Sequence, residues 1–193
     1  MAAHPSLAFR FDCGATWLNL LATRGSAFGA HPAERLATPA LLAEWLDRSE
    51  LAPRTAPAQA DLEEAWRLRE LLRSVALPTA AGQTPPAEAV AELSAYLARR
   101  EEPLRLRLGD RLVREGPATA AAALGRIARQ AAEHLTGPER HALKICPESD
   151  CRGLFTDAGG RRRWCPSPAC ASRGRVRAHR ARRGATPPPA PTG

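Results

Sequence analysis

The sequence predicts an α+β fold: a mostly helical N-terminal domain with a small antiparallel sheet, followed by a compact cysteine-rich module. Three observations support this prediction. Apolar residues recur at helical spacing over most of residues 1–137. A short stretch around residue 106 instead alternates leucine and arginine, which is typical of a strand. Four of the five cysteines lie between residues 146 and 170, so we place a second domain at residues 138–183.

The size and composition of the chain narrow its class. The chain has 193 residues, of which 44% are hydrophobic and 25% charged. These values predict one medium-sized domain with a hydrophobic core and a second, smaller domain. No run of about 18 apolar residues occurs, which argues against a membrane-spanning helix. The first residues lack the basic and apolar regions of a signal peptide. We therefore expect a cytoplasmic protein with no membrane partner.

Cap residues and apolar spacing predict five helices, one strand and one hairpin in the N-terminal domain. The helices are Gly14–Thr23, one starting at the Thr38-Pro39 cap, Gln59–Leu77, one starting at the Thr84-Pro85 cap, and Ala118–Leu135. Ala8–Asp12 is predicted as a strand, and Leu104–Leu108 with Arg111–Arg114 as a β-hairpin. Arg105 and Arg107 would share the solvent face of that hairpin. The Pro-rich residues 184–193 are predicted to be a disordered tail.

The four clustered cysteines form two pairs of equal spacing, Cys146-x4-Cys151 and Cys165-x4-Cys170. In a reducing cytoplasm, paired cysteine pairs indicate a metal site more often than disulfides. Four thiolates make the closed tetrahedral shell of a structural zinc site. We predict one structural Zn²⁺ ion on these residues; four free structural thiols are the alternative.

The residues around the cysteines predict the rest of the module. Gly153–Asp157 and Arg161–Cys165 resemble two short strands joined by a turn at Ala158–Gly160. Pro166-Ser167-Pro168 then begins a helix that has Cys170 in its first turn. This order is that of a treble-clef-like zinc finger. A module of this size has too small a core to fold alone, so we expect metal binding to drive its folding.

The positive charge of the chain lies almost entirely at its C-terminal end. Residues 1–139 carry 16 arginines and 17 acidic residues, whereas residues 140–193 carry 12 basic residues and three acidic ones. Guanidinium groups suit phosphate oxygens and guanine edges, so DNA is the predicted partner, and a solvated tail is the alternative. The predicted nucleic-acid contacts are Arg161, Arg162, Arg163, Arg173, Arg175, Arg177, Arg180 and Arg182.

Several motifs resemble a known bacterial family. The C-terminal third is similar to CGNR zinc fingers through Leu154-Phe155-x-Asp157, Arg163-Trp164-Cys165, the tetrapeptide Cys170-Ala171-Ser172-Arg173 and the tail Val176–Arg182. The tetrapeptide has lost the Gly and Asn of the family signature but keeps its Cys and Arg. The N-terminal part resembles the accompanying ABATE domain through Asn19, Arg24, Glu34-Arg35-Leu36, Leu42-x-x-Trp45-Leu46 and Leu68-Arg69-Glu70. The resemblance implies a stress-related transcriptional regulator with a zinc-dependent DNA-binding end.

For the N-terminal domain, the resemblance implies a sensor or an assembly domain. Asn19, Arg24, Glu34 and Arg69 could converge to bind a small-molecule effector. A buried, satisfied polar network that only fixes the fold is the alternative.

The predicted function is that of a zinc-dependent DNA-binding transcriptional regulator. The alternative is a zinc-stabilised protein-interaction or RNA-associated module without sequence-specific DNA readout. We do not expect an enzyme, because four cysteines saturate the metal and no histidine has catalytic or ligand spacing. One finger with one basic helix would bind DNA weakly, which leaves a homodimer on paired half-sites open. The fifth cysteine, Cys13, is interpreted as a small buried apolar residue rather than a reactive thiol.

Overall fold

The computed structural model describes residues 8–103, 105–157 and 159–184. Its helices in these ranges are α1 (Thr16–Leu21), α2 (Pro39–Arg48), α3 (Gln59–Ala80), α4 (Ala87–Arg99), α5 (Ala120–Thr136) and α6 (Pro168–Gly184), with a 3₁₀ turn at Pro138–Ala142. Short antiparallel strands pair as β1 (Arg24–Gly25) with β2 (Ala33–Glu34), β3 (Leu106–Leu108) with β4 (Leu112–Arg114), and β5 (Leu143–Ile145) with β6 (Leu154–Thr156). The predicted α+β class is confirmed. No helix in the described ranges has the length and hydropathy to cross a bilayer.

Threonine caps determine where two of the long helices begin. The hydroxyl of Thr38 accepts the backbone N–H of Leu41 at 3.2 Å, and Pro39 occupies the first helical position of α2, as predicted. Thr119 caps α5 in the same way, accepting the N–H of Ala122 at 3.1 Å. Each cap satisfies a backbone donor that has no partner inside the helix.

Helices α3 and α4 have boundaries that differ from the prediction. Thr84 does not cap α4, which begins at Ala87 after Pro86. Residues that precede a proline are disfavoured in helical conformation, so the Pro85-Pro86 pair delays the helix start. Helix α3 continues past the predicted end at Leu77, through Pro78 to Ala80. Pro78 lacks an N–H donor, but it lies in the last turn of α3, so its effect on the helix is confined to that turn.

The N-terminal segment is less regular than predicted. Ala8–Asp12 forms no strand, and α1 covers only Thr16–Leu21 of the predicted Gly14–Thr23. A strand needs a partner ladder, and the nearby β1 and β2 pair with each other instead.

The predicted hairpin forms, with Arg107 opposite Val113, but its leucines do not enter the core. Leu106, Leu108 and Leu112 are 54%, 81% and 66% exposed. Arg105 and Arg107 are exposed as well, so both faces of this ribbon meet solvent. Leu104, the first residue of the predicted hairpin, lies outside the described residues, as do residues 185–193 of the predicted tail.

One apolar core joins the N-terminal helices to β5 and β6. Trp17 of α1 and Trp45 of α2 are fully buried, and they belong to the same cluster as Phe155 of β6. Gly14, with φ +103°, allows a close backbone approach, because a side chain there would collide with the hydroxyl of Thr156. The cysteine-rich end is therefore packed directly against α1.

Candidate metal centre and basic helix

The first cysteine pair lies on the loop between β5 and β6. The N–H of Cys146 donates to the carbonyl of Gly153 at 2.9 Å, which closes the base of the loop. At its tip, the N–H groups of Cys151 and Arg152 both donate to the carbonyl of Glu148, at 3.0 and 2.9 Å. Arg152 adopts φ +43° to complete this turn. The x4 spacing thus forms a tight loop that turns both thiols to one side.

The predicted pairing of Gly153–Asp157 with Arg161–Cys165 is wrong. Strand β6 pairs with β5, a strand that the sequence pattern did not predict. The backbone N–H of Thr156 donates to the carbonyl of Cys13 at 3.0 Å, so the N-terminal segment covers the other side of β6. Both sides of the strand are then occupied. Ala158, in the predicted turn, lies outside the described residues.

Residues 161–164 form a loop that Asp157 organises. The carboxylate of Asp157 accepts the backbone N–H of Arg162 at 2.6 Å and the ammonium of Lys144 at 3.0 Å. The Arg162 N–H, followed by Lys144, holds the pKa of Asp157 below its usual range. The loop is thereby tied to β5 and leads into Cys165.

Helix α6 begins at Pro168, as predicted, and places Cys170 in its first turn. The N–H of Cys170 donates to the carbonyl of Ser167 at 3.1 Å. The helix continues through the arginine-rich segment to Gly184, so one rigid element carries both a cysteine ligand and the basic residues.

The four cysteines Cys146, Cys151, Cys165 and Cys170 converge, with their sulfur atoms all within 4.8 Å of one another. The Sγ atoms of Cys151 and Cys165 are 3.8 Å apart. Tetrahedral Zn–S bonds of about 2.3 Å place sulfurs about 3.8 Å apart, so the donor set fits a Zn²⁺ ion. Cys146 and Cys170 are buried, which removes water from that side of the cluster. The cluster is a metal-binding site by geometry and by ligand chemistry.

The four thiols of the cluster influence one another's ionisation. The hydrogen bond with Cys151 lowers the pKa of Cys146, whereas the same contact raises the pKa of Cys151. Hydrogen bonds among the four thiols likewise lower the pKa of Cys170 and raise that of Cys165, so two of the thiols lose their protons only against the negative charge of their neighbours. A divalent cation removes this penalty, and metal binding releases the remaining protons.

Glu148 anchors α6 to the first cysteine loop. Its carboxylate is almost completely buried and accepts a 2.8 Å bond from Nη2 of Arg177. Nε of Arg173 lies 3.6 Å from the same carboxylate, and Nη2 of Arg173 lies 3.2 Å from Asp150. Two of the eight predicted nucleic-acid contacts are therefore ion-paired within the module. The sequence signal for Glu148 was its isolation, as one of only three acidic residues beyond position 139.

Replacement of Glu148 by glutamine is expected to loosen α6. The variant keeps the shape of the side chain but removes the charge that two arginines share. We expect a loss of about 1–3 kcal/mol in the free energy of unfolding of the metal-loaded protein, measured by urea titration. The matched control is Asp150→Asn, which alters a more exposed pair and should cost less than about 1 kcal/mol. Equal effects of the two variants would contradict the anchoring role.

Trp164 connects the 161–164 loop to α6. Its indole lies against Gly174, where any side chain would collide with the ring. The guanidinium of Arg163 lies over the ring of Trp164, 5.2 Å from its centroid. The structure thus brings the predicted arginines of the loop and of the helix into one unit. Arg161, Arg162, Arg163, Arg175, Arg180 and Arg182 are all exposed.

Three of the four residues of the predicted ligand cluster meet in the N-terminal domain. Arg69, only 2% exposed, donates to both carboxylate oxygens of Glu34 at 2.8 and 2.6 Å and to the hydroxyl of Thr23 at 2.9 Å. Arg24 reaches the group through Glu70, at 3.4 Å. The fourth residue, Asn19, makes a separate contact: its side-chain oxygen accepts the N–H of Cys13 at 3.1 Å. Arg69 thus donates to three protein side chains, Glu34, Thr23 and Glu70.

Cys13 behaves as a buried apolar residue. It is 3% exposed, and burial, with Asp12 nearby, raises the pKa of its thiol to about 11. The raised pKa means that the folded state favours the protonated thiol. The contribution of Cys13 to the free energy of unfolding is therefore present below the ordinary thiol pKa and is lost as the pH rises through about 11.

We expect native metal-loaded protein at pH 8 to resist alkylation by iodoacetamide. Chelation should expose the four thiols of the cluster, and full denaturation should expose all five, counted by mass spectrometry. Rapid labelling of Cys13 in the native protein would show that its thiol is accessible and reactive.

The fold and the cysteine cluster define a helical protein with a C-terminal metal-binding finger. Two family models match it: ABATE, described as "Putative stress-induced transcription regulator", over residues 14–138, and the CGNR zinc finger over residues 142–183. The chain belongs to the ABATE family and carries a CGNR zinc finger. No curated protein matches it significantly. These matches confirm the resemblance that the sequence motifs indicated.

Proposed function

We propose that this protein is a zinc-dependent DNA-binding transcriptional regulator. The observation that carries the proposal is the joining of two exposed arginine groups, one on the 161–164 loop and one on α6, through the contact of Trp164 with Gly174. A rigid basic surface of this kind suits the regularly spaced phosphates of a duplex.

The arginines of α6 have two different roles in this proposal. Arg173 and Arg177 pair with Glu148 and position the helix. Arg175 and Arg182 project from the opposite side, since seven residues bring a helix back to nearly the same direction. These two arginines, together with the loop arginines, are the proposed DNA contacts. The negative charge of Glu148 neutralises the positioning arginines but not the contacting ones.

The proposed metal is one Zn²⁺ ion with a structural role. It would hold Cys170 at the start of α6 against the β5–β6 loop, so the helix direction depends on the metal. Four thiolates leave no coordination position for water, so we propose no catalytic activity. The helical domain would sense a small-molecule effector or assemble the protein.

Binding of the zinc-loaded protein to a pool of its own genomic DNA fragments tests this function. Bound fragments are recovered at two salt concentrations and sequenced. We expect a small set of sites to persist at the higher salt, because base contacts resist salt better than phosphate contacts do. Uniform binding that disappears at higher salt would reject specific readout, and preferential binding of RNA with the same sequences would favour the RNA-associated alternative.

Paired variants locate the contacting surface. Arg175→Gln with Arg182→Gln removes two charges from α6, whereas Arg105→Gln with Arg107→Gln removes two from the exposed β3 hairpin. Each phosphate contact contributes about −0.9 to the slope of log affinity against log salt, so the first pair should reduce the slope by up to about two units. The hairpin pair should leave it unchanged. The reverse result would place the DNA on the N-terminal domain.

A further inference from the structure

A cavity of about 810 Å³ lies between the N-terminal segment, the β1–β2 hairpin and the metal-binding end. Its volume is within the range of small-molecule sites. Phe9, Phe11 and Leu21 contribute apolar wall, whereas Cys165 and Arg173 line the side that belongs to the finger. A molecule in this cavity would contact both parts of the protein.

The walls of the cavity carry both cationic and anionic groups. Five arginines line it, together with Asp12 and three of the cluster cysteines, Cys151, Cys165 and Cys170, whose sulfurs would be engaged by the metal. Four of the five have carboxylate partners within 4.0 Å: Arg10 with Asp12, Arg24 and Arg73 with Glu70, and Arg173 with Asp150. The fifth, Arg35, has none among the residues that the structure describes.

Arg35 is held in place by neutral groups. Its Nε donates to the carbonyl of Ala8 at 2.9 Å, and its Nη1 donates to the carbonyl of Ala22 at 3.1 Å. The guanidinium lies close to Gly25, where a Cβ atom would be 2.5 Å from Nη1 and 2.8 Å from Nη2. Burial, followed by the neighbouring charge of Arg10, lowers the pKa of Arg35. Two bonds to carbonyls leave further N–H donors for an oxyanion, and a guanidinium binds such a group in bidentate geometry.

The adjacent residue shows that this placement follows from strand geometry. Glu34, at the end of β2, binds Arg69, whereas Arg35 lines the cavity. Successive side chains along an extended chain point to opposite sides. The Glu34-Arg35 dipeptide therefore contributes one side chain to the buried network and the next to the cavity.

We propose that this cavity binds a small organic oxyanion, a carboxylate or phosphate monoester with an apolar body, through Arg35. The charged group would meet the guanidinium, and the apolar body would pack against Phe9, Phe11 and Leu21. The proposal rests on the proposed function, since it identifies the chemical class of the effector. Arg173 of α6 lines the same cavity. A bound anion would therefore contact the helix that carries the proposed DNA contacts.

Calorimetric titration of the zinc-loaded full chain with benzoate, phenyl phosphate and benzamide tests the proposal. At least one of the two anions should bind with a stoichiometry of one per chain and raise the melting temperature, and neutral benzamide should not. Comparison of the two anions distinguishes a carboxylate effector from a phosphate one. Arg35→Gln should weaken binding at least about tenfold, whereas Arg105→Gln, with the same charge change on the exposed hairpin, should bind as the unchanged protein does.

A second variant separates binding from folding. Gly25→Ala places a methyl group where the Arg35 guanidinium lies, and it should weaken anion binding while the zinc content stays at one per chain. The proposal is overturned if neither anion binds more tightly than about 1 mM, if benzamide binds equally, or if Gly25→Ala binds fully. If the unchanged protein binds neither anion and the Arg35→Gln variant loses zinc, the role of Arg35 is to neutralise the charge of the thiolates, and the proposal is overturned. The titration contains no DNA, so its failure is separate from failure of the DNA-binding proposal.

Discussion

Removal of the metal is expected to unfold the finger, including α6, and to weaken the helical domain without unfolding it at room temperature. Metal binding contributes about 10–16 kcal/mol in small zinc-finger peptides, which exceeds what the few apolar residues of this module could supply. Leu143, Leu154 and Phe155 belong to the common core, so their release also removes about 1.5–3 kcal/mol of burial each. The helical domain should therefore melt at a lower temperature.

Chelator titration followed by far-ultraviolet circular dichroism and tryptophan fluorescence measures this effect. The signal of Trp164 is obtained by difference from a Trp164→Phe variant. Cys146→Ser should bind no stable zinc, and Cys13→Ser, a buried cysteine outside the cluster, is the control that should retain one ion per chain. An unchanged Trp164 signal after complete zinc removal would refute the role of the metal in folding.

Replacement of Arg69 by alanine is expected to cost about 3 kcal/mol of unfolding free energy. The guanidinium is 2% exposed and makes charge-assisted bonds to Glu34 and a further bond to Thr23. Removing one partner of a buried pair leaves the other partner's charge uncompensated, which costs about 3–5 kcal/mol. The lower value applies because 32% of the Glu34 side chain remains exposed.

Urea titration of Arg69→Ala against Arg67→Ala measures this cost. Arg67 lies on the same helix but is exposed, so its removal should change stability by less than about 0.5 kcal/mol. A double-mutant cycle with Glu34→Gln isolates the energy of the pair. If Arg69→Ala were as stable as the control, the network would not be structural, and the hypothesis of a ligand at this cluster would gain support.

Features that depend on neighbouring residues could be predicted from the sequence. The Thr38-Pro39 cap, the Pro168 helix start and the position of Cys170 each follow from backbone preferences within one turn. The cysteine spacing predicted the metal cluster for a related reason, since four thiols at the two ends of a short module have few other uses. Thr84 shows the limit, because two following prolines outweighed an otherwise suitable cap residue.

Features that depend on distant residues could not be predicted. Arg161–Cys165 has the alternation of a strand, but β6 is already occupied by β5 and by the backbone of Cys13. Glu148 looked like one acidic residue in a basic segment, yet it is buried beneath two arginines of α6. Arg35 carried no sequence signal beyond its place in a family motif.

The sequence by itself determined the α+β class, the order of the helices, the clustering of four cysteines and the concentration of charge at the C-terminal end. These properties are set by residue type and by short-range spacing, which the chain carries whatever its path. Only the tertiary structure decided which strand pairs with which, which arginines are neutralised and which line a cavity. Those outcomes depend on residues far apart in the chain, because strand pairing and ion pairing are settled by which partners the packed core brings within reach.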